Sequence, residues 1–386
     1  MEFSEVKVLI FEGYARQTLP MAKAFNKLGC EVTTLNHSKL DVGYTSKYPT
    51  KKIVKYSSSN DYVRTVNTVR ELLKSGEYNL VVPMSDFSAS LLSRNKDEFS
   101  NYAKIASNDW EIYDIAQDKL KTMEICMERG IPCPLTLISV ESIEEVINSD
   151  LNFPIVVKPR IGYGAIGFKV ANNEAELREY IVKNKINISF YVFQEYIPQS
   201  DVQFEAAMFV DNENEIKTSL VFSKNRWFPI EGGSSTFNIT VDRKDIVESC
   251  SKLLKDIGWR GCADVDLIQD PRDGIAKIME INPRVSGSVK ICFEAGVDLA
   301  KQIIQREFDH PVTSYNKYKI GQRLRCSQTD LLWFIKSSDR LTSKPSWFSM
   351  KKTKDQTFSL ADPLPWFSYS IQSLGRYRKE MKKRSD

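Results

Sequence analysis

Three oxygen-bearing side chains fall on two predicted strands that a short turn joins into a hairpin. Asp266 belongs to the first strand, and Glu280 and Asn282 belong to the second. Residues two apart on a strand point to the same face, so Asp266 can lie opposite the other two across the ladder. Two carboxylates and an amide oxygen suit Mg²⁺, which completes its coordination with water and phosphate oxygens. The hairpin therefore predicts a magnesium site, against the plainer alternative of solvated acidic residues on an exposed strand.

Arg284 follows this hairpin directly, and two lysines elsewhere suit the same chemistry. An arginine beside a magnesium site can neutralise the charge that develops on a transferring phosphoryl group, so we predict that Arg284 is catalytic. Lys158 ends the apolar strand PIVVKP, where a lysine is costly to bury without an anion. Lys119, in the sequence AQDKLK, is by itself typical of an exposed helix lysine and gains meaning only beside the other residues.

Residues 162–167, Gly-Tyr-Gly-Ala-Ile-Gly, match a phosphate-binding glycine pattern. A dinucleotide fingerprint needs a helix directly after the glycines, whereas here the strand-like segment FKVAN follows. A glycine loop between two strands instead predicts a flap whose backbone amides close over phosphates, with a ligand-free hairpin as the alternative. The candidate binding residues of this loop are Gly162, Tyr163, Gly164 and Gly167.

Two further segments suit a nucleotide and its reaction partner. In FQEYIPQSDVQFE a predicted strand ends where backbone groups and an aliphatic side chain can receive an adenine. The candidate residues of this segment are Glu195, Tyr196 and Ile197, with Glu205 further on as an acceptor for ribose hydroxyls or as a metal ligand. The loop FPIEGGSST holds two glycines and several hydroxyls. We predict that Gly232, Gly233 and Ser234 shape a substrate pocket, with a plain turn as the alternative.

The elements that carry these residues fall into two patterns. The first third of the chain alternates short apolar runs with amphipathic helical stretches, which predicts βαβ units and a doubly wound, mostly parallel sheet. Its first strand-to-helix turn offers one glycine, Gly13, where a dinucleotide site needs several. We therefore expect this domain to hold an acceptor substrate. From about residue 109 the pattern becomes helix-rich and then strand-rich, which predicts an α+β unit.

Composition excludes several classes of function. The 386 residues are 42% hydrophobic and 27% charged, as in a water-soluble globular chain of two or three domains. A net charge of +4 is too small for a protein whose task is to neutralise nucleic acid. No apolar stretch approaches the ~20 residues of a membrane span. Seven scattered cysteines without a CxxC pair, and an N-terminus without a basic signal region, predict a cytoplasmic protein with reduced thiols.

Beyond about residue 312 the sequence is less regular, but RLRCSQTDLLWFI suits a strand that leads into a helix, whereas DPLPW is expected to break any regular element because proline lacks a backbone donor. The terminal stretch RYRKEMKKR carries six basic residues in nine positions. A solvated helix end is the plainer interpretation of that stretch. The alternative is a weak attraction to an anionic membrane surface.

In order and spacing, the segments VVKP, GYGAIGF, QEYI, VDL and EINPRVSGS resemble the ATP-grasp superfamily. The last segment is most similar to carbamoyl-phosphate synthase and related carboxylate–amine ligases. Agreement of several motifs in order is far more specific than any single motif. The resemblance covers roughly residues 1–310. Two features depart from the family: the chain holds one ATP-grasp unit where the large synthase subunit is duplicated, and Asp266 stands where many relatives carry Gln or Glu.

The resemblance implies a division of the chain. An α/β, doubly wound pre-ATP-grasp (Rossmann-like) domain, residues 1–112, would precede an α+β ATP-grasp domain, residues 113–311. That domain would consist of a nucleotide-lid subdomain over about 119–195 and a metal and catalytic subdomain over about 196–311. Residues 312–386 would form a C-terminal segment of uncertain structure.

The resemblance also implies a reaction. The two lysines and the glycine loop would contact the phosphates of ATP, and the hairpin would hold one or two Mg²⁺, with Mn²⁺ as an alternative ion. Arg284 would stabilise an acyl-phosphate formed from a small-molecule carboxylate, and an amine would then displace phosphate. A homodimer is compatible with the sequence. The alternatives are a non-catalytic ATP-binding module and a phosphotransferase or carboxylase of the same fold.

Overall fold

The computed structural model describes residues 2–55, 58–162, 166–199, 202–230 and 232–385. The strands of these residues form three sheets. A five-stranded sheet is N-terminal, a three-stranded sheet follows, and a seven-stranded sheet includes strands from the C-terminal segment.

The N-terminal sheet is parallel, with strand order β3-β2-β1-β4-β5. Its strands are β1 (Lys7–Phe11), β2 (Glu31–Asn36), β3 (Lys51–Val54), β4 (Leu80–Pro83) and β5 (Lys104–Ile105). Its helices are α1 (Thr18–Lys27), α2 (Val42–Thr45), α3 (Tyr62–Lys74), α4 (Asp86–Arg94), α5 (Lys96–Phe99) and α6 (Trp110–Gln117). On β1, Val8 and Ile10 belong to the core that contains α1, whereas Leu9 and Phe11 belong to the core that contains α3 and α4. Both faces are therefore covered, as predicted for a doubly wound sheet.

The three-stranded sheet is antiparallel, with strand order β7-β6-β8. Its strands are β6 (Ile155–Pro159), β7 (Lys169–Ala171) and β8 (Tyr191–Glu195). The helices of this region are α7 (Lys119–Glu128), α8 (Ile143–Ile147) and α9 (Glu174–Lys183). The glycine loop joins β6 to β7, so the prediction that it connects two strands, and does not open a helix, is confirmed.

The seven-stranded sheet has the order β13-β12-β9-β10-β11-β14-β15 and is antiparallel except between β14 and β15. Its strands are β9 (Gln203–Val210), β10 (Ile216–Phe228), β11 (Ser234–Val241), β12 (Gly261–Gln269), β13 (Ala276–Asn282), β14 (Arg323–Arg325) and β15 (Thr353–Asp355). Its helices are α10 (Lys244–Asp256), α11 (Lys290–Ala295), α12 (Leu299–Glu307), α13 (Ser327–Lys336) and α14 (Leu364–Ser385). The apolar face of α10 is buried, as its periodicity predicts.

The segment RLRCSQTDLLWFI contains β14 and the start of α13, so the predicted strand leading into a helix is confirmed, and β14 pairs with β11 and so extends the sheet. The prediction that DPLPW breaks any regular element is wrong: α14 begins at Leu364, and a proline in the first turn of a helix removes no hydrogen bond that the helix would make. An ion pair anchors the C-terminal segment: Arg226 Nε and Nη2 donate to the two carboxylate oxygens of Asp330 at 2.8 and 3.1 Å. Both side chains are almost fully buried.

Replacing Asp330 by Ala is expected to lower the free energy of unfolding by about 3–5 kcal/mol, because the buried guanidinium of Arg226 would lose its counter-charge. Urea unfolding measures the change. Asp339→Ala, at an exposed position of the same segment, is the matched control and should alter stability by less than about 0.5 kcal/mol. Equal effects of the two substitutions would show that the ion pair does not hold the segment.

The predicted boundary between residues 112 and 113 falls inside α6, which runs from Trp110 to Gln117. The division into domains and subdomains remains a prediction. In the described part of the chain, no helix is long and apolar enough to cross a membrane.

Candidate active site

Three carboxylates form a row across three neighbouring strands. In the antiparallel register, Asp266 on β12 lies opposite Glu280 on β13 and opposite Glu205 on β9. Glu205 is 6% exposed. Burial raises the pKa of Asp266 to about 6, with Lys224 opposing this effect and the two glutamates adding to it. Like charges in such a row repel one another, so the row is stable only beside cations.

Lysines supply these cations. Lys119 Nζ lies 3.0 Å from Glu280 Oε2 and donates a 2.8 Å hydrogen bond to the Gly162 carbonyl. Lys224, on β10, contacts Asp266, and its Nζ lies 3.3 Å from Glu205 Oε2. The arrangement alternates carboxylates and ammonium groups, and it can bind a metal ion and phosphates side by side.

Lys158 is 7% exposed at the end of β6. Burial lowers its pKa to about 8, with Glu280 opposing the shift and Lys119 adding to it. A bound anion would offset the cost of burying this ammonium group. The structure thus places both predicted lysines against Glu280.

The predicted magnesium ligands are brought together. Asn282 Nδ2 donates to Asp266 Oδ2 at 3.1 Å, and Glu280 shares the strand face of Asn282. Within the described ranges, no group of three or more His, Cys, Asp or Glu side chains is arranged to bind a metal by itself. The set nevertheless fits Mg²⁺, because this ion usually takes one or two carboxylates and completes its shell with phosphate and water oxygens.

Arg284 connects the hairpin of β12 and β13 to the domain of the N-terminal sheet. Its Nη2 donates to Asn282 Oδ1 at 3.1 Å, and its Nε lies 3.2 Å from Asp86 Oδ1 at the start of α4. Its Nη1 lies 3.7 Å from Asp264 Oδ2. Burial acts to lower the pKa of Arg284, but Asp86 and Asp264 outweigh it and raise the pKa. The guanidinium is therefore a fixed positive charge beside the carboxylate row.

Asp264 and Lys224 belong to this site but are absent from the sequence prediction. Asp264 is 3% exposed, and its Oδ1 accepts no hydrogen bond from a described group. Burial and the neighbouring Glu205 raise the pKa of Asp264 well above its ordinary value. Each residue left a signal: Asp264 stands two positions before Asp266 on the same strand face, and Lys224 interrupts a largely buried strand.

The glycine loop is described only at its ends, because Tyr163 and Gly164 lie outside the described residues. Gly167 has a φ of +75°, and a Cβ at this position would lie 2.9 Å from Pro159 Cγ. Glycine is therefore required where the loop enters β7. Gly162 lies beside Lys119, which places the start of the loop at the carboxylate row.

The segment predicted to receive adenine begins with a carboxylate that two cations hold. Glu195 Oε1 lies 3.0 Å from Lys277 Nζ, and its Oε2 lies 2.8 Å from Arg272 Nη2. The carboxylate is thus held in a surface ion-pair network. Tyr196 and Ile197 are not among the described residues that line the large cavity beside Glu280. Their nucleotide contact remains a prediction.

A cavity of about 1200 Å³ opens beside the carboxylate row. Its lining on this side includes Lys119, Gly162, Glu280, Asn282 and Arg284. Its opposite side is formed by loops at the carboxyl ends of the N-terminal strands and by the C-terminal segment. Ligands of parallel α/β sheets commonly bind at these strand ends. The cavity therefore joins the carboxylate row to the domain predicted to hold an acceptor.

The loop predicted to shape a substrate pocket contributes Ser234 to this cavity. A Cβ on Gly233 would lie 2.0 Å from the Phe228 carbonyl carbon, and Gly232 has a φ of +138°. Both glycines are thus needed by the backbone of a tight turn, whereas the serine faces the cavity.

Glu12 is a second cavity residue that the sequence did not single out. It follows β1 directly, has a φ of +78° and is 2% exposed. Its Oε2 accepts no hydrogen bond from a described group, although Tyr14 donates to Oε1 at 3.2 Å. Burial raises the pKa of Glu12 to about 7, outweighing the nearby hydroxyls of Ser85, Ser88 and Tyr14. The cavity thus contains a buried carboxylate with unused acceptor capacity.

The Glu12→Gln variant is expected to match the wild type in stability at pH 5 and to exceed it at pH 8 by on the order of 1–3 kcal/mol. Folded Glu12 keeps its proton up to about pH 7, whereas its ordinary pKa is 4.5. The folded state therefore binds more protons than the unfolded state between these values, and the wild type loses stability as pH rises through them.

Urea unfolding of both proteins at pH 5 and pH 8 tests this expectation. Glu71→Gln, at an exposed position of α3, is the matched control and should leave the pH dependence unchanged. If the wild type and Glu12→Gln differ in stability by the same amount at both pH values, the pKa of Glu12 is not raised.

The chain is similar to several known proteins. Residues 116–288 match a family model described as an ATP-grasp domain. The chain is similar to the D-aspartate ligase of Enterococcus faecium (strain Aus0004), with 26% identity over 258 residues that cover 62% of this chain and 61% of that ligase. It is also similar to the carbamoyl phosphate synthase large chain of Methanobrevibacter smithii, with 29% identity over 175 residues that cover 42% of this chain. The chain thus spans 61% of the first relative and 16% of the second.

The fold is also similar to that of a solved structure, the biotin carboxylase domain of the Hydrogenobacter thermophilus 2-oxoglutarate carboxylase. That domain, in complex with MgADP, ADP and bicarbonate, superposes on this chain with a TM-score of 0.68. The superposition covers 82% of this chain and 73% of that domain, at 16% identity. At this identity the likeness concerns the fold alone.

Proposed function

We propose that the chain is an ATP-dependent, ADP-forming ligase that joins a small-molecule carboxylate to an amine. The premise is that residues 116–288 match an ATP-grasp domain, as the motifs predicted. One observation carries the proposal: Glu280 of the carboxylate row, Lys119 and Arg284 share a cavity with polar loops of the N-terminal sheet. The similarity to a D-aspartate ligase supports the same class of reaction.

We assign the nucleotide side of the site as follows. Lys119 and Lys158 bind phosphates, the loop from Gly162 to Gly167 covers them, and the segment from Glu195 to Ile197 receives the adenine. Asp266, Glu280 and Asn282 hold one or two Mg²⁺, for which Mn²⁺ can substitute. When bound, the metal screens the charge of the phosphate oxygens. Glu205, which we assign to ribose hydroxyls or to the metal, and Lys224, which the structure adds to the site, extend the charged row toward β10.

The proposed reaction has two steps. A carboxylate oxygen of the acid bonds to the γ-phosphorus while the bond to the bridging oxygen breaks, which leaves an acyl-phosphate and ADP. The amine nitrogen then bonds to the acyl carbon, phosphate leaves, and the amine gives up a proton. Arg284 neutralises the phosphoryl oxygens, and Asp86 orients its guanidinium. Positioning and electrostatics suffice for this chemistry, so a chain with two histidines can perform it.

We place the amine at the opposite side of the cavity, beside Glu12 and Asp86. The free Oε2 of Glu12 can accept a hydrogen bond from an ammonium group, and its raised pKa suits it to take up a proton near neutral pH. Asp86 adds a second carboxylate on the same side, next to Arg284. These contacts suit a primary amine.

A screen of acids and amines with ATP tests the proposal, with ADP, free phosphate and product mass as readouts. We expect ADP and phosphate in equal amounts together with a coupled product, and only when acid and amine are both present. A phosphorylated product without free phosphate would overturn the proposal in favour of a phosphotransferase. A bicarbonate requirement would favour a carboxylase, and ATP binding without turnover would favour a binding module.

A further inference from the structure

Exposed apolar side chains are concentrated in one part of the C-terminal segment. Ten of the 23 large apolar side chains that are exposed in the described residues lie between residues 331 and 371. They are Leu331, Ile335, Leu341, Phe348, Met350, Phe358, Leu360, Leu364, Phe367 and Ile371. Single exposed apolar residues are ordinary, but a concentration of this kind marks an interaction surface.

Exposed cations alternate with these apolar residues along the chain. Six basic side chains between residues 331 and 371 are exposed, whereas Asp339 is the one exposed carboxylate of that range. The basic positions are Lys336, Arg340, Lys344, Lys351, Lys352 and Lys354. Asp362 is buried, where it accepts a hydrogen bond from Ser46, and Asp355 is partly buried, where it accepts one from Ser327. The surface is therefore both apolar and strongly positive.

The whole-chain charge conceals this asymmetry. Residues 331–386 hold twelve Lys or Arg and five Asp or Glu, a net charge of +7, whereas the chain as a whole has a net charge of +4. The first 330 residues are therefore net negative, at −3. Such asymmetry between parts of a chain indicates a polyanionic partner for the basic part.

Helix α14 shows how the apolar side chains are presented. Leu364, Phe367 and Ile371 are spaced at i, i+3 and i+7, so they lie on one face of the helix, and each is at least 56% exposed. The opposite face is used internally, because Tyr369 is buried and lines the cavity together with Trp366. The same helix continues through the basic stretch RYRKEMKKR. An apolar stripe beside many basic residues is typical of helices that lie in a membrane interface.

Leu331 lines the cavity, so we propose that the exposed side chains of residues 335–371, hereafter the docking face, bind the surface of an anionic lipid bilayer. Lipid headgroups supply negative charge to the lysines, and the acyl boundary accepts the apolar side chains. A second copy of the chain is a poorer occupant, because a self-complementary contact would bring like charges together.

Docking of this kind would set the position of the active site relative to the bilayer. The outward stripe of α14 and the cavity-lining side chains of Trp366 and Tyr369 lie on opposite faces of one helix. A helix with its side chains is ~10–12 Å across. The cavity would therefore lie about one helix diameter from the lipid surface.

Vesicle flotation of the full chain tests the proposal, with vesicles of phosphatidylcholine alone or mixed with equal parts of phosphatidylglycerol. We expect binding to the mixed vesicles only, and weaker binding as salt concentration rises. Phe367→Ser combined with Ile371→Ser should lower the partition coefficient at least about tenfold. Lys351→Glu combined with Lys352→Glu should lower it by about thirtyfold or more.

Matched controls separate these effects from a general loss of hydrophobicity or charge. Val63→Ser with Val182→Ser removes two side chains that are 69% and 75% exposed on α3 and α9. Lys39→Glu with Lys74→Glu changes two exposed lysines outside the docking face. Both control pairs should bind mixed vesicles like the wild type, and circular dichroism of every variant confirms folding.

Three outcomes would overturn the proposal. One is equal binding of the wild type to both kinds of vesicle, or to neither. Another is unchanged vesicle binding of the folded docking-face variants. The third is a change of oligomeric state without vesicle binding. Light scattering would show a dimeric wild type and a monomeric Phe367→Ser, Ile371→Ser variant, and neither protein would bind vesicles. A second copy of the chain would then cover the docking face.

Discussion

Replacing Glu280 by Gln is expected to abolish ATP turnover, lowering kcat by about 10³-fold or more. The substitution conserves shape but removes the negative charge that lies opposite Asp266 and 3.0 Å from Lys119 Nζ. A neutral amide is a weaker ligand for Mg²⁺ and leaves Lys119 and Lys158 without their shared counter-charge. ADP release under saturating ATP and substrates measures the loss.

Glu248→Gln is the matched control for this substitution, because Glu248 is exposed on α10, which has no residue at the cavity. It should retain wild-type turnover. Thermal unfolding of both variants shows whether the fold survives. A folded Glu280→Gln protein with full ligase activity would remove Glu280 from the proposed metal site.

Arg284→Lys is expected to lower kcat by about 10²–10³-fold while changing the KM for ATP only a few-fold. Lysine keeps the positive charge, but its single ammonium group cannot replace the planar guanidinium that contacts Asp86, Asp264 and Asn282 together. A group that acts on the transferring phosphoryl should affect the chemical step more than ground-state binding. Steady-state kinetics at varied ATP separates the two effects.

Arg340→Lys is the corresponding control at an exposed position and should leave both constants unchanged. A large rise in the KM for ATP with an unchanged kcat would assign Arg284 to nucleotide binding. That result would contradict the catalytic role proposed for it.

The hairpin that carries the proposed metal ligands was predictable because its geometry is local. Asp266, Glu280 and Asn282 lie within one turn-connected pair of strands, so the period of two alone places them on a shared face. The ATP-grasp resemblance, which rests on motifs in sequence order, is confirmed by the family model. The doubly wound sheet was predictable for the same reason, since each βαβ unit has its own hydrophobic pattern.

Residues that enter the site from distant strands were not predictable in the same way. Lys224 reaches Asp266 because β9 pairs with both β10 and β12, a pairing that no local pattern reveals. Glu205 was singled out, but its place in the carboxylate row depends on the same pairing. Glu12 enters the cavity only because the N-terminal sheet lies against the site, and a lone glutamate after a strand carries no distinctive signal.

In the C-terminal segment the strand and helix of RLRCSQTDLLWFI were predictable, but the attachment of the segment to the rest of the chain was not. Its strands are three residues long, and the ion pair that holds it joins Arg226 to Asp330 across about a hundred residues. Distant pairs leave no periodicity. The asymmetry of its charge, by contrast, could be counted from the sequence and is hidden only by summing over the whole chain.

The most direct test of the proposed function is to trap the acyl-phosphate. The protein would be incubated with ATP, hydroxylamine in place of the amine, and the ¹⁸O-labelled carboxylate that the acid screen identifies. We expect one hydroxamate of the acid for each ADP released, and one ¹⁸O atom transferred from the acid to each free phosphate. ADP released without hydroxamate, or phosphate free of ¹⁸O, would contradict activation of a carboxylate at this site.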